Sequence, residues 1–117
     1  MTRLFVTLIA LLVLANVAPV HAQAEDGSGT AVEVHAYLLA FDRTSFNVTS
    51  GSLVTVSFFN DENYIPHNLV IDVPGVDAGK ICVGPCSTSV KFTAPDPGSY
   101  RFYCTLHPDM TGTVFVQ

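Results

Sequence analysis

Seven residues near the end of the chain, Cys104-Thr105-Leu106-His107-Pro108-Asp109-Met110, hold a thiol, an imidazole and a thioether. A second imidazole lies upstream in Ile65-Pro66-His67-Asn68-Leu69. Thiolate and thioether sulfur suit Cu(I), and imidazole nitrogen is acceptable to both Cu(I) and Cu(II). Two His and one Cys with a weak axial Met make up electron-transfer copper sites. A site that suits both oxidation states moves little when an electron arrives, so the pattern points to one-electron chemistry. Other readings fit less well. Structural zinc takes four Cys or His ligands and not Met. Attachment of a c-type haem needs C-x-x-C-H, which the chain lacks. A Cys–His nucleophilic pair would sit in a short loop with no evident substrate cleft.

Such ligands need a rigid frame, and the chain offers strands rather than helices. Short β-prone runs recur at about 31–41, 45–49, 52–60, 67–73, 87–93, 98–104 and 111–117, separated by Gly, Pro, Asn and Asp. Leu53-Val54-Thr55-Val56-Ser57-Phe58 and Thr113-Val114-Phe115-Val116 carry the β-branched and aromatic residues that fit a pleated surface. The expected fold is all-β, a Greek-key antiparallel sandwich of about seven to eight strands. Asp96-Pro97-Gly98-Ser99-Tyr100 reads as a turn followed by a tyrosine corner, in which the phenol bonds back to nearby backbone. Side chains alternate along a strand, so Tyr100, Phe102 and Cys104 share one face. If that face is the core, the Cys104 thiol points inward at the rim of the sandwich, beneath the loop bearing His107 and Met110.

The first residues read as an address. Arg3 precedes an apolar run from Leu4 to Leu14, and Val20-His21-Ala22 is a small-residue cleavage site. Cleavage is expected after Ala22, with Ala24 the alternative. The apolar run falls short of the roughly 20 residues that a spanning helix needs. The expected organisation is a cleaved signal at 1–22, a polar Gly-rich lead-in at 23–30 and one domain at 31–117. Removal of the signal leaves 95 residues, with four basic side chains against ten acidic ones and a net charge of −6. An acidic surface argues against nucleic acid and anionic membrane as partners, since both are held by clustered Lys and Arg.

An exported chain with three cysteines has one left over. Cys82 and Cys86 are the natural pair for an oxidising compartment, although spacing cannot establish their geometry. A second redox or metal site on that pair is the bolder alternative. Cys104 then needs a reason to stay reduced, and a bound metal is one. His35 reads as a structural imidazole. Asn47-Val48-Thr49 matches a glycosylation acceptor, a motif that often arises by chance.

In these features the chain resembles the small blue-copper cupredoxins, the group that includes plastocyanin, pseudoazurin and amicyanin. The likeness runs from about Phe46 to Val116. Its anchors are His67-Asn68, the strand from Gly98 to Cys104, and Cys104-x-x-His107-x-x-Met110. The short ligand loop with its His107-Pro108 is most like that of amicyanin. The resemblance implies one type 1 copper bound by His67 and His107 through Nδ1 and by the Cys104 thiolate in a plane, with Met110 at a longer axial distance. It also implies that Asn68 and Thr105 tie the two ligand segments together behind the metal. The C-terminal ligand, His107, would be the exposed one and the path of the electron. Large apolar residues in loops suggest a docking patch, here Tyr64, Ile65, Pro66, Leu106 and Pro108. Three features depart from the pattern. Leu106 stands where such loops often have Pro, Asp109 puts a carboxylate beside Met110, and Cys82 and Cys86 lie outside the copper set.

The functional expectation is a monomeric, exported electron carrier, periplasmic or extracellular. It would meet redox proteins transiently, act on no small-molecule substrate and catalyse no reaction as an enzyme. The alternatives are a copper-binding or chaperone protein that hands over the ion, and a sandwich used only for protein binding.

Overall fold

The computed structural model describes residues 29–76 and 79–117. The segment read as a signal lies outside the described residues, as does nearly all of the lead-in. Among the described residues there is no helix. The strands are β1 (Thr30–Tyr37), β2 (Ala40–Phe41), β3 (Ser45–Val48), β4 (Leu53–Asn60), β5 (Pro66–His67), β6 (Val70–Ile71), β7 (Cys82–Val83), β8 (Cys86–Thr93), β9 (Gly98–Tyr103) and β10 (Thr111–Val116). Two four-stranded sheets, β2-β1-β4-β8 and β3-β10-β9-β6, make the sandwich, and β5 and β7 form a separate ribbon. The two sheets thus hold eight strands, as expected.

Alternation along the strands builds the core. Val32, Val34 and Ala36 on β1 face inward, as do Val54, Val56 and Phe58 on β4, while their neighbours face out. From the other sheet come Phe46 and Val48, Phe102, and Val114 and Val116. Burial of this apolar surface is the main stabilising term, at roughly 25 cal/mol per Å². Most pairings are antiparallel, but β1 lies parallel to β4 and β3 parallel to β10. The reason is that the chain crosses between sheets after β2, so β1 and β3 each pair with a later strand running in the same direction.

Two expected strands are broken. The run at 31–41 turns back on itself at Leu38 and Leu39, whose φ values of 50° and 57° lie in the left-handed region. Two-residue hairpins need that geometry, but Asn-Gly usually supplies it, so Leu-Leu carries no turn signal in the sequence. The run at 67–73 divides at Asn68 and Leu69, sending β5 to the ribbon and β6 to the second sheet. The tyrosine corner is present: Tyr100 Oη donates to the Asp96 carbonyl at 2.8 Å. Phe102 and Cys104 are buried on the same side of that strand. Opposite Phe102 in the ladder stands Gly112, and a Cβ there would collide with the phenyl ring.

Cys82 and Cys86 are joined in a disulfide, their Cα atoms 6.2 Å apart. The bond links β7 to the end of β8. Because Cys82 pairs with His67 and Cys86 with Asn60, it anchors the ribbon to the first sheet.

Candidate metal centre

Three ligand candidates come from one loop. Cys104 follows β9 directly, and the chain returns to β10 after Met110. The loop is closed at both levels: Cys104 N–H donates to the Met110 carbonyl, and Met110 N–H to the His107 carbonyl, each at 3.0 Å. These short bonds turn the seven residues into a cup. Cys104 and Met110 point into the protein, with 2% and 1% of their surfaces exposed, while His107 is half-buried and Asp109 faces solvent.

His67 arrives from the ribbon and is fully buried. Its Nδ1 lies 3.9 Å from Cys104 Sγ, and His107 Nδ1 lies 3.6 Å from the same sulfur. The three donor atoms are all within 4.8 Å of one another, and the imidazole centroids are 4.6 Å apart. Such convergence of a free buried thiol and two imidazoles, with the buried Met110 thioether closing the same loop, fits one soft-tolerant metal ion. Among the described residues this is the one group of three or more His, Cys, Asp or Glu side chains close enough to share an ion.

Behind the donors, Asn68 joins the two segments. Its Oδ1 accepts from Thr105 N–H at 2.8 Å and from Thr105 Oγ1 at 3.2 Å, and its Nδ2 donates to the Gly79 carbonyl at 3.1 Å. The pairing of Asn68 with Thr105 is the one expected from the resemblance.

Two further residues went unnoticed in the sequence. Asn60 occupies the fourth inward position of β4, after Val54, Val56 and Phe58, and is fully buried. Its Nδ2 donates to the carbonyls of Ile65 and Cys82 at 2.8 and 2.9 Å, and its Oδ1 accepts Glu62 N–H at 3.1 Å. One amide thus satisfies three backbone groups around the ribbon, as a buried polar side chain must. Gly84 completes this region, since a Cβ there would strike the Glu62 carbonyl and the Asn60 side chain. Glu62 reaches back to the ligand, its Oε2 lying 2.8 Å from His67 Nε2. The Leu39 N–H, first, and the His67 hydrogen bond, second, hold this carboxyl below its ordinary value of 4.5. The signal that could have found Glu62 is chemical: a metal-binding imidazole commonly gives its other N–H to a carboxylate.

The loop residues read as a docking patch differ in exposure. Tyr64 is 87% exposed with φ of 64°, and Leu106 and Pro108 are also exposed, whereas Ile65 and Pro66 are half-buried. His35 lies with Nδ1 2.6 Å from Asp61 Oδ2 and stacks on Phe59, a satisfied imidazole outside the donor cluster.

Fold and donor set together define a cupredoxin with a type 1 copper site, and comparison with known proteins agrees. Residues 29–117 match the model of the copper-binding proteins of the plastocyanin/azurin family. Plastocyanin of Mercurialis perennis is 37% identical over 91 residues, covering 68% of this chain and 89% of that protein. Amicyanin-alpha of Methylorubrum extorquens is 32% identical over 99 residues, covering 80% and 77%. Dithionite-reduced auracyanin from Roseiflexus castenholzii superposes with a TM-score of 0.67 at 26% identity, covering 76% of this chain and 98% of that one. The chain belongs to the plastocyanin/azurin family of copper-binding proteins, and its cofactor is copper.

Proposed function

We propose that this protein is an exported carrier of single electrons, holding its copper with His67, Cys104, His107 and Met110. The observation that carries the reading is the convergence of three donor atoms from two distant segments on one buried, unpaired thiol. Copper bound there supplies reversible one-electron exchange between Cu(II) and Cu(I). The chain's own contribution is to keep the donors in place during that exchange. Cys104 and Met110 are locked by the loop's backbone bonds, and Asn68 holds that loop to the His67 segment. A frame that cannot relax forces both oxidation states to share one geometry.

His107 is the route proposed for the electron, because it is the one imidazole of the pair that reaches the surface. Around it Leu106 and Pro108, with Tyr64, Ile65 and Pro66 from the segment before His67, form the proposed docking patch. Electron-transfer encounters use small interfaces that separate quickly. The oxidised Cys82–Cys86 pair and the signal-like start of the sequence support an exported, periplasmic or extracellular location. A monomer that docks transiently with redox proteins is the corresponding state.

The test is the visible and EPR spectrum after addition of one equivalent of Cu(II). Intense thiolate-to-copper absorption, bleached by ascorbate and restored by oxidant, is expected. A pale spectrum would exclude Cys104 as a ligand and leave copper storage or hand-over as the reading. Met110→Leu should keep the colour and raise the potential, and an unchanged potential would argue against axial ligation.

A further inference from the structure

The two imidazoles of the site are not equivalent, and the difference lies outside the donor set. His67 Nε2 faces Glu62 Oε2 at 2.8 Å in a setting where the ring is fully buried. A carboxylate has no proton to give, so the ring must donate from Nε2, which in the neutral imidazole leaves the lone pair on Nδ1. Nδ1 is the nitrogen turned toward Cys104 and His107. Among the described residues, His107 has no corresponding partner for its Nε2.

Glu62 is itself held from three directions. The same Oε2 accepts Leu39 N–H at 3.0 Å, and Glu62 N–H donates to Asn60. Leu39 delivers its N–H from a left-handed conformation, φ 57°, at the tip of the β1–β2 hairpin. Non-glycine residues in that region are strained and persist where the surroundings over-determine them. The Glu62 side chain is 16% exposed, so solvent competes only partly for its oxygens.

We infer that Glu62 is a positioning residue for the copper centre, presetting His67 with Nδ1 bare and placing a negative charge one imidazole away from the ion. The inference rests on the copper reading above. It has two separable parts. The hydrogen bond selects the tautomer before any metal arrives, which lowers the reorganisation needed for binding. The charge favours Cu(II) over Cu(I), and so lowers the reduction potential.

Glu62→Gln and Glu62→Ala separate them. The Gln carbonyl can accept both N–H groups without the charge, whereas Ala removes acceptor and charge together. Long-range proton–nitrogen correlation NMR on the metal-free protein, at mildly alkaline pH, should find His67 protonated at Nε2 in the wild type and in Glu62→Gln. Glu62→Ala should show a mixture of tautomers and roughly a tenfold loss of Cu(II) affinity, the scale typical for partners of metal-bound histidine. Voltammetry of copper-loaded Glu62→Gln should shift the couple toward Cu(I) by about tenfold, or 59 mV for one electron. Wild-type His67 protonated at Nδ1, or a Glu62→Ala protein with unaltered tautomer and affinity, overturns the positioning role. An unshifted potential in Glu62→Gln overturns the role of the charge. Failure of the wild type to bind copper would sink the copper reading instead, and the metal-free NMR would still decide what Glu62 does to the ring.

Discussion

The two segments that bring ligands together are built on opposite plans. The C-terminal loop places Cys104, His107 and Met110 by its own backbone, through hydrogen bonds between residues three and six positions apart. The upstream segment contributes only His67, and side chains and neighbouring strands hold it rather than a backbone loop closed on itself. Its ribbon is fixed by Asn60 from β4, by a disulfide to β8 and by the Glu62 carboxylate behind the ring. A cluster of ligands within one loop can be self-supporting. A lone ligand needs side-chain contacts from outside its own strand, and those contacts are where its geometry and electronics can be adjusted without touching the metal.

The comparison breaks most visibly at the thiol. Cys104→Ser should abolish the intense visible band in a Cu(II) titration while the far-UV circular dichroism stays that of the sandwich, because the core strands do not depend on the sulfur. Loss of the fold as well would mean that the packing of Cys104 in the core, and not only its donor chemistry, is needed by the sandwich.

Asn60→Ala tests the other plan. It strips partners from the Ile65 and Cys82 carbonyls and the Glu62 N–H, so about 3 kcal/mol of stability should go in a urea titration of the metal-free protein. Copper affinity should fall with it, since the ribbon carrying His67 is what loosens. A stable Asn60→Ala protein with normal affinity would show that the ribbon holds itself.

The double substitution Cys82→Ser with Cys86→Ser should cost about 2 kcal/mol, the loop-closure entropy of so short a ring. Its discriminating readout is again Cu(II) affinity, which should weaken although neither cysteine belongs to the cluster of donors. Smallest of all is Thr105→Val. It removes one hydroxyl bond to Asn68 and leaves the Thr105 N–H bond at 2.8 Å intact, for a loss of about 1 kcal/mol in thermal or urea unfolding. A much larger loss would place the junction between the segments in the hydroxyl rather than in the backbone.

Much of this was legible without coordinates, for a physical reason. Residue type decides donor chemistry, and close spacing decides proximity, so Cys104, His107 and Met110 could be grouped from the sequence. Val54, Val56 and Phe58 announced a strand face by alternation, and Tyr100 announced its corner by following a turn. His67 joined them by its chemistry, and the resemblance added its Asn68–Thr105 tie. Two kinds of feature stayed hidden. Leu38-Leu39 makes a hairpin with residues that carry no turn signal, because its left-handed geometry is imposed by the contacts on either side. Asn60 and Glu62 look like ordinary polar residues at the end of a strand, because their roles depend on groups that only folding brings near.

By itself, then, the sequence determined the candidate donor atoms, the strand faces and the leftover thiol, all of which follow from side-chain chemistry and short-range periodicity. Only the tertiary structure decided that Cys82 and Cys86 brace the His67 ribbon, that Asn60 satisfies three backbone groups around it and that a carboxylate stands behind one imidazole and not the other. These depend on the direction in which each side chain points and on partners from β1–β2, β7 and β8, and a linear pattern of residues does not specify them.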